Sequence, residues 1–177
     1  MKPKVFVSKC LGLSACRWDG GIAPDPFIEK LKPRVDFIGI CPECEIGLGV
    51  PREPLRIIFK RNFYRLIQLN TGKDLTASIL KFTSKFLKTH KKIDAFILKS
   101  RSPSCGIKNV KAYANLKASR PIEKTSGFFA KEILKQLPDM AVETEETLAN
   151  LRRRKKFIAK LFATDNKRKN SKKRRKK

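Results

Sequence analysis

Three short, nearly unbroken apolar runs constrain this chain more than anything else in it: KVFVS at Lys4–Ser8, VDFIGI at Val35–Ile40 and IDAFIL at Ile93–Leu98. Continuous runs of this length suit strands covered on both faces, the situation of a parallel sheet with helices above and below. The stretches between them carry helical signals. Pro26–Leu31 reads as a short helix. Asp74 is placed as the N-cap of a helix running to Thr89, with Leu75, Ile79, Phe82 and Phe86 at helical spacing. Ser126 is placed as the cap of a second helix through Leu137, and Thr144–Phe162 reads as a last amphipathic helix. Leu55–Phe59 and Tyr64–Leu69 are an expected hairpin beside the main sheet, and Ala141–Glu143 a final short strand. Strands alternating with helices predict an α/β fold in three layers around a mostly parallel, Rossmann-like sheet.

Each of the three runs leads into a loop that carries a cysteine: Cys10 in SKCLG, Cys41 in ICPEC and Cys105 in KSRSPSCG. Parallel strands deliver such loops to one edge, and open α/β sheets bind ligands outside the carboxyl ends of their strands. One cysteine at a strand end is ordinarily a small buried hydrophobe. Three make a crevice of soft ligands that can hold a metal or cluster and leave a coordination position open. Ser102, Ser104 and the backbone amides near Gly106 are candidate donors to sulfur or substrate.

The remaining chemistry is thinner. Cys41 and Cys44 form a C-x-x-C pair, but a second pair is absent, so a zinc ribbon is unsupported. Pro42 and the following EIGLG predict a loop there rather than the helix start of a thioredoxin-like dithiol. The single histidine, His90, stands in KTHKK and reads as a surface residue. Cysteine–histidine catalysis and His-ligated zinc hydrolysis are therefore poorly supported. Acid–base candidates near the cysteine loops are Asp19, Glu43, Glu45 and Lys99, and Arg52 and Arg56 are candidates for phosphate.

At 177 residues the chain suits one domain with a real core. No apolar stretch approaches the roughly 20 residues needed to span a bilayer, and no secretory leader is legible, so a cytoplasmic protein is expected. Five cysteines in that setting point to metal or catalysis rather than disulfides. The formal net charge is +26, and fifteen Lys and Arg against one Asp fall within residues 152–177. The ending KRKNSKKRRKK has no apolar residue to bury, so the reading divides the chain into an α/β domain over 1–163 and a disordered polybasic tail over 164–177. Affinity for a polyanion follows from such a tail.

The segments VSKCLGLSACRWDGG, ICPE with GLGVPREPLR after it, TGKDLT and LKSRSPSCG together resemble the thiouracil desulfidase family, in order and spacing, from about Val5 to Phe162. The resemblance implies a 4Fe–4S cluster held by Cys10, Cys41 and Cys105, with the fourth iron free of protein ligands. It implies a non-redox desulfuration of a 4-thiouracil-type base at that iron, the base being free, in a nucleotide or in tRNA. Glu43 and Ser102 match positions implied in substrate activation, Glu43 by activating water or relaying a proton. Cys16 matches a family cysteine outside the cluster, and Asp19 and Ser104 are further candidates in the same motifs. Cys44 departs from relatives that are often apolar there, and a thiol reaching the open iron would block or regulate it. The GLGVPRE and VETEETL segments resemble relatives fused to a helical domain linked to tRNA desulfuration. A polybasic tail stands in its place here and is expected to contact tRNA. The competing readings are a basic RNA-binding protein with a structural or vestigial metal site, and a redox dithiol protein using Cys41 and Cys44.

Overall fold

The computed structural model describes the backbone of residues 2–174 and the side chains of 2–163. In chain order the elements are β1 (Lys4–Ser8), α1 (Pro26–Leu31), β2 (Asp36–Ile40), α2 (Pro42–Glu45), β3 (Leu55–Lys60), β4 (Phe63–Gln68), α3 (Thr76–Thr89), β5 (Ala95–Leu98), β6 (Val110–Tyr113), β7 (Glu123–Thr125), α4 (Phe128–Gln136), β8 (Ala141–Thr144), α5 (Glu145–Leu148) and α6 (Leu151–Arg174). The main sheet has the order β2-β1-β5-β8 and every pairing in it is parallel.

Alternate side chains of the central strands supply a core on each face. Val5, Val7, Ala95 and Ile97 pack with Ile28 and Leu31 of α1 and Phe157 and Leu161 of α6. Phe6, Phe96 and Leu98 point the other way, onto Phe86 of α3 and Phe129 and Ile133 of α4. Phe6 anchors that side, with ring centroids 5.4, 5.3 and 5.1 Å from Phe86, Phe96 and Phe129. This is the expected three-layer arrangement, and aromatic packing of this kind contributes beyond simple burial. The second sheet, β4-β3-β6-β7, buries Ile57, Leu66, Val110 and Ala112 against Leu75 and Ile79 at the start of α3 and Phe128 of α4. Helix α3 is thus a wall shared by both sheets.

Several local expectations are corrected. Val35–Ile40 is covered on both faces less completely than expected: β2 is the outermost strand, paired only with β1, and although Phe37 packs into one core and Ile38 and Ile40 into the other, these side chains stay half-buried. The CPEC segment is not all loop, because Pro42 occupies the first turn of the short helix α2, where its missing N–H costs nothing. Asp74 is not the N-cap of α3. Leu75 holds that position, while Asp74 accepts from the Thr76 amide at 2.9 Å and pairs with Arg65 at 3.1 Å. Ser126 does not cap α4 either: its hydroxyl accepts from the Lys108 amide at 3.0 Å. The last helix is broken in two, with Thr144 and Thr147 forming a capping box on α5 and the Asn150 side chain accepting from the Arg153 amide. Strands β6 and β7 are additions. The expectation for the tail over 164–177 lies outside the described side chains.

Helix α4 is capped instead by the cysteine loop. The amides of Phe128 and Ala130 donate to the carbonyls of Pro103 and Ser104 at 3.1 Å each, and Gly127 N–H donates to Gly106 at 2.8 Å. Close approach makes Gly127 necessary, since an added Cβ would stand 2.5 Å from the Ser104 carbonyl carbon and 2.8 Å from the Cys105 nitrogen. Gly127→Ala is accordingly expected to cost about 1–3 kcal/mol in urea denaturation; a variant as stable as the parent would show that the Cys105 loop yields freely.

Candidate functional site

Strand β1 has β2 on one side and β5 on the other, so the strand order reverses between β1 and β5 and a crevice opens at their carboxyl ends. A cavity of about 710 Å³ occupies that edge. All four parallel strands supply it. β1 is followed by Cys10, β2 by Cys41 and Glu43, β5 by residues 99–103 and Cys105, and β8 by Glu145. Arg52 and Leu55 enter from the approach to β3, and Cys16 and Trp18 from the loop after β1.

The thiols are free, buried or half-buried, and close enough to affect one another. Burial pushes the Cys10 thiol up to about 11, with Cys41 adding to the rise and Lys99 and Arg17 opposing it. Burial and the neighbouring Cys41, Cys10 and Cys44 push Cys16 up to about 12. Cys105 is raised mainly by burial, while a hydrogen bond from the Ser8 hydroxyl acts to favour its thiolate. Such sulfurs ionise readily only beside a compensating cation.

Glu43 is buried and held at both oxygens. Arg52 donates to Oε2 through Nε at 2.9 Å and through Nη2 at 2.8 Å, and the Ser104 hydroxyl donates to Oε1 at 2.9 Å. The same guanidinium reaches Cys41 Sγ at 3.7 Å, Cys44 Sγ at 3.8 Å and the Cys16 carbonyl at 3.1 Å. Arg52 therefore ties the CPEC turn to the Cys16 loop. Ser102 Oγ accepts from the amides of Ser104 and Cys105 at 3.2 and 3.1 Å, which shapes the SPSC turn and leaves its own O–H to donate into the cavity. On the opposite wall, Lys99 Nζ meets Glu145 Oε1 at 2.5 Å, and Glu145 Oε2 accepts from the Ser100 amide at 2.8 Å.

Of the residues singled out from sequence, Cys10, Cys41, Cys105, Cys16, Glu43, Ser102 and Lys99 line the cavity together. Ser104 is fully buried behind Glu43, and Cys44 lies outside the lining, against Arg52. Asp19 is exposed and outside the lining too, its carboxyl held down at about 2 by Arg17 and the Gly21 amide. Glu45 is exposed, and His90 stacks on Phe86 at 4.4 Å. Arg56 does not face the cavity: it lies over Tyr113 and donates to the carbonyls of Leu116 and Ala118. Ser8, Trp18, Ser100 and Glu145 also line the cavity, although sequence reasoning does not single them out. Trp18 is 48% exposed at the mouth. A tryptophan in the glycine-containing loop after SKC is a legible signal; Glu145, on a helix more than a hundred residues from Cys10, gives none.

The family model described as 2-thiouracil desulfurase matches residues 5–145 of the chain. An uncharacterised protein of Bacillus subtilis (strain 168), YbbK, is 37% identical over 109 residues, which is 58% of this chain and 72% of that protein. Among solved structures, a 4Fe–4S-dependent thiouracil desulfidase, TudS, superposes with a TM-score of 0.66 at 25% identity, over 84% of this chain and 94% of its own.

Arg52→Met leaves the Glu43 carboxylate buried without its partner and is expected to destabilise the protein by about 3–5 kcal/mol near neutral pH. Combining it with Glu43→Gln should recover most of that loss in the same denaturation assay; additive losses would deny the coupling.

Proposed function

The chain belongs to the 2-thiouracil desulfurase family, and from that premise we propose that it is an iron–sulfur-dependent enzyme that replaces the C4 sulfur of a thiouracil-type base with oxygen. One water enters and one hydrogen sulfide leaves, with no net electron transfer. The observation that carries this reading is the convergence of Cys10, Cys41 and Cys105, from three adjacent parallel strands, on one cavity that also holds Glu43 and Ser102.

The donor set suits a 4Fe–4S cluster held by Cys10, Cys41 and Cys105. Each thiolate of a cluster binds a different iron, so its ligands surround a body rather than a point. A polycationic cluster would supply the charge that buried, mutually repelling thiols need in order to ionise. Held by these three cysteines, such a cluster would leave one iron free to act as a Lewis acid for a thiocarbonyl sulfur.

The chain's own groups do the rest. Glu43, fixed by Arg52 and Ser104, accepts the proton of the water that adds at C4. The free O–H of Ser102 donates to the base and orients it. Trp18, flat and half-exposed at the mouth, offers the ring a stacking surface. Cys16 holds the loop after β1 against Cys41, whose sulfur lies 3.8 Å from the Cys16 carbonyl. The substrate is the base itself or the base within a nucleotide or tRNA, and the polybasic tail over 164–177 supplies affinity for tRNA.

Anaerobically purified protein should carry about four irons per chain and discharge sulfide from 4-thiouracil, with 2-thiouracil as the comparison substrate. Cys105→Ala should lose iron and activity together. Glu43→Gln should keep the iron but lose about 10²–10⁴-fold in kcat. Iron-loaded protein that turns over neither thiouracil would sink the reading, and selective turnover of 2-thiouracil would overturn the assignment to C4. Deleting 164–177 should weaken tRNA binding and flatten its dependence on salt; unchanged binding removes the tail from the account.

A further inference from the structure

The second sheet has one face against α3; the other is open at the β3–β4 hairpin end and along β6 and β7, while Ile58 at its middle is buried. Its inner positions include Ile57, Leu66 and Ala112. The alternate positions, which strand geometry puts on the other face, are Arg56, Ile58 and Lys60 of β3, Phe63, Arg65 and Ile67 of β4, Lys111 and Tyr113 of β6, and Lys124 of β7. Five of these are cations; one carboxylate, Asp74, is bridged to Ile67 on this face and pairs with Arg65, and Lys60, Lys111 and Lys124 have no such partner among the described residues. Glu123, the acidic residue of β7, lies in register with inward-facing Ala112 and accepts from Tyr64 on the inner side.

Two features of this face have a cost that folding does not explain. Lys111 and Lys124 are exposed partners directly across β6 and β7, and like charges so placed repel. Phe63 is 67% exposed at the hairpin tip, opposite the exposed Lys60. Lys60, Lys111 and Lys124 make no ion pair among the described residues. The segment over 114–122, which crosses part of the face, adds exposed Lys117 and Arg120 and no carboxylate. Strand β3 also begins at the cavity, because Pro54 and Leu55 line it.

We propose that the outer face of the second sheet is an RNA-binding surface, with Lys60, Lys111 and Lys124 on phosphates and Phe63 stacking on an unpaired base. A polyanion removes the repulsion between Lys111 and Lys124 and gains by counterion release. An exposed aromatic among cations is the means by which sheet surfaces hold splayed-out bases, which duplex DNA does not present. The surface is independent of the desulfuration reading: it concerns where RNA is held, whatever the cavity does with it.

The test uses the full-length chain and a fluorescein-labelled tRNA transcript, read by anisotropy over a salt series, with duplex DNA of equal length as comparison. Lys111→Gln combined with Lys124→Gln should lower the salt slope by about 2. Phe63→Ala should weaken tRNA binding at least about fivefold with little change in slope. Lys124→Glu sets a carboxylate opposite Lys111, so it should raise Tm while weakening tRNA binding, a combination that misfolding does not produce. All of these variants should retain parental turnover of free 4-thiouracil, since none touches the cavity. Affinity and slope unchanged in the double Gln variant would overturn the proposal. Duplex DNA bound as tightly as tRNA and indifferent to Phe63→Ala would overturn the assignment to RNA. Loss of turnover with RNA binding kept in the parent protein would count against the desulfuration reading alone.

Discussion

Covering both faces of a parallel sheet is the constraint from which the rest of this molecule follows. Once Val5, Val7, Phe6 and their counterparts on β5 are packed between helices, polar chemistry has no place on the faces and must gather at an edge. Parallel strands with right-handed crossovers all end at the same edge. Groups as far apart in the chain as Cys10 and Glu145 therefore share one cavity. The site is a property of the sheet, and no local motif contains it.

The cavity wall is held by ion pairs that are closed on themselves. Arg52 is used by Glu43, Lys99 by Glu145, Arg101 by Glu146 and Arg17 by Asp19. Each cation that lines the cavity with a carboxylate beside it presents little net charge to a visitor. Apart from Lys9, which has no carboxylate in these pairs, such a wall suits a neutral heterocycle better than a small anion. Arg52 has a double duty here. It holds the carboxylate proposed to move a proton, and it lies against two sulfurs of the CPEC turn.

The legible part of the fold was the part dictated by burial. The three apolar runs announced β1, β2 and β5, and the cysteines that follow them announced the edge where the cavity lies. What escaped was set by tertiary partners. Ser126 has a good capping side chain, yet the carbonyls of Pro103 and Ser104 reach the first turn of α4 before it can. β6 and β7 are short and half polar, so they become strands only because β3 offers a pairing edge. Glu145 and Ser8 look ordinary in sequence, one in an acidic run and one at a strand end. They acquire a role only when Lys99 and Cys105 are brought beside them.

Charge is segregated in this chain in a way that total charge conceals. With +26 over 177 residues, cations would be expected everywhere and would by themselves say little. Four of the five cations that line the cavity meet a carboxylate, Lys9 being the fifth, whereas on the outer face of the second sheet Asp74 beside Arg65 stands among five cations and Lys111 is set opposite Lys124. Selection for solubility alone would scatter both signs across that face. Separate demands would explain the difference: the proposed reaction needs room for a small planar ring beside the cysteines, and the proposed RNA surface needs unpaired cations. Because β3 runs from the cavity wall to the hairpin tip, the two regions are joined by a single strand, and an RNA held on the sheet has a base within a strand's length of the cavity mouth.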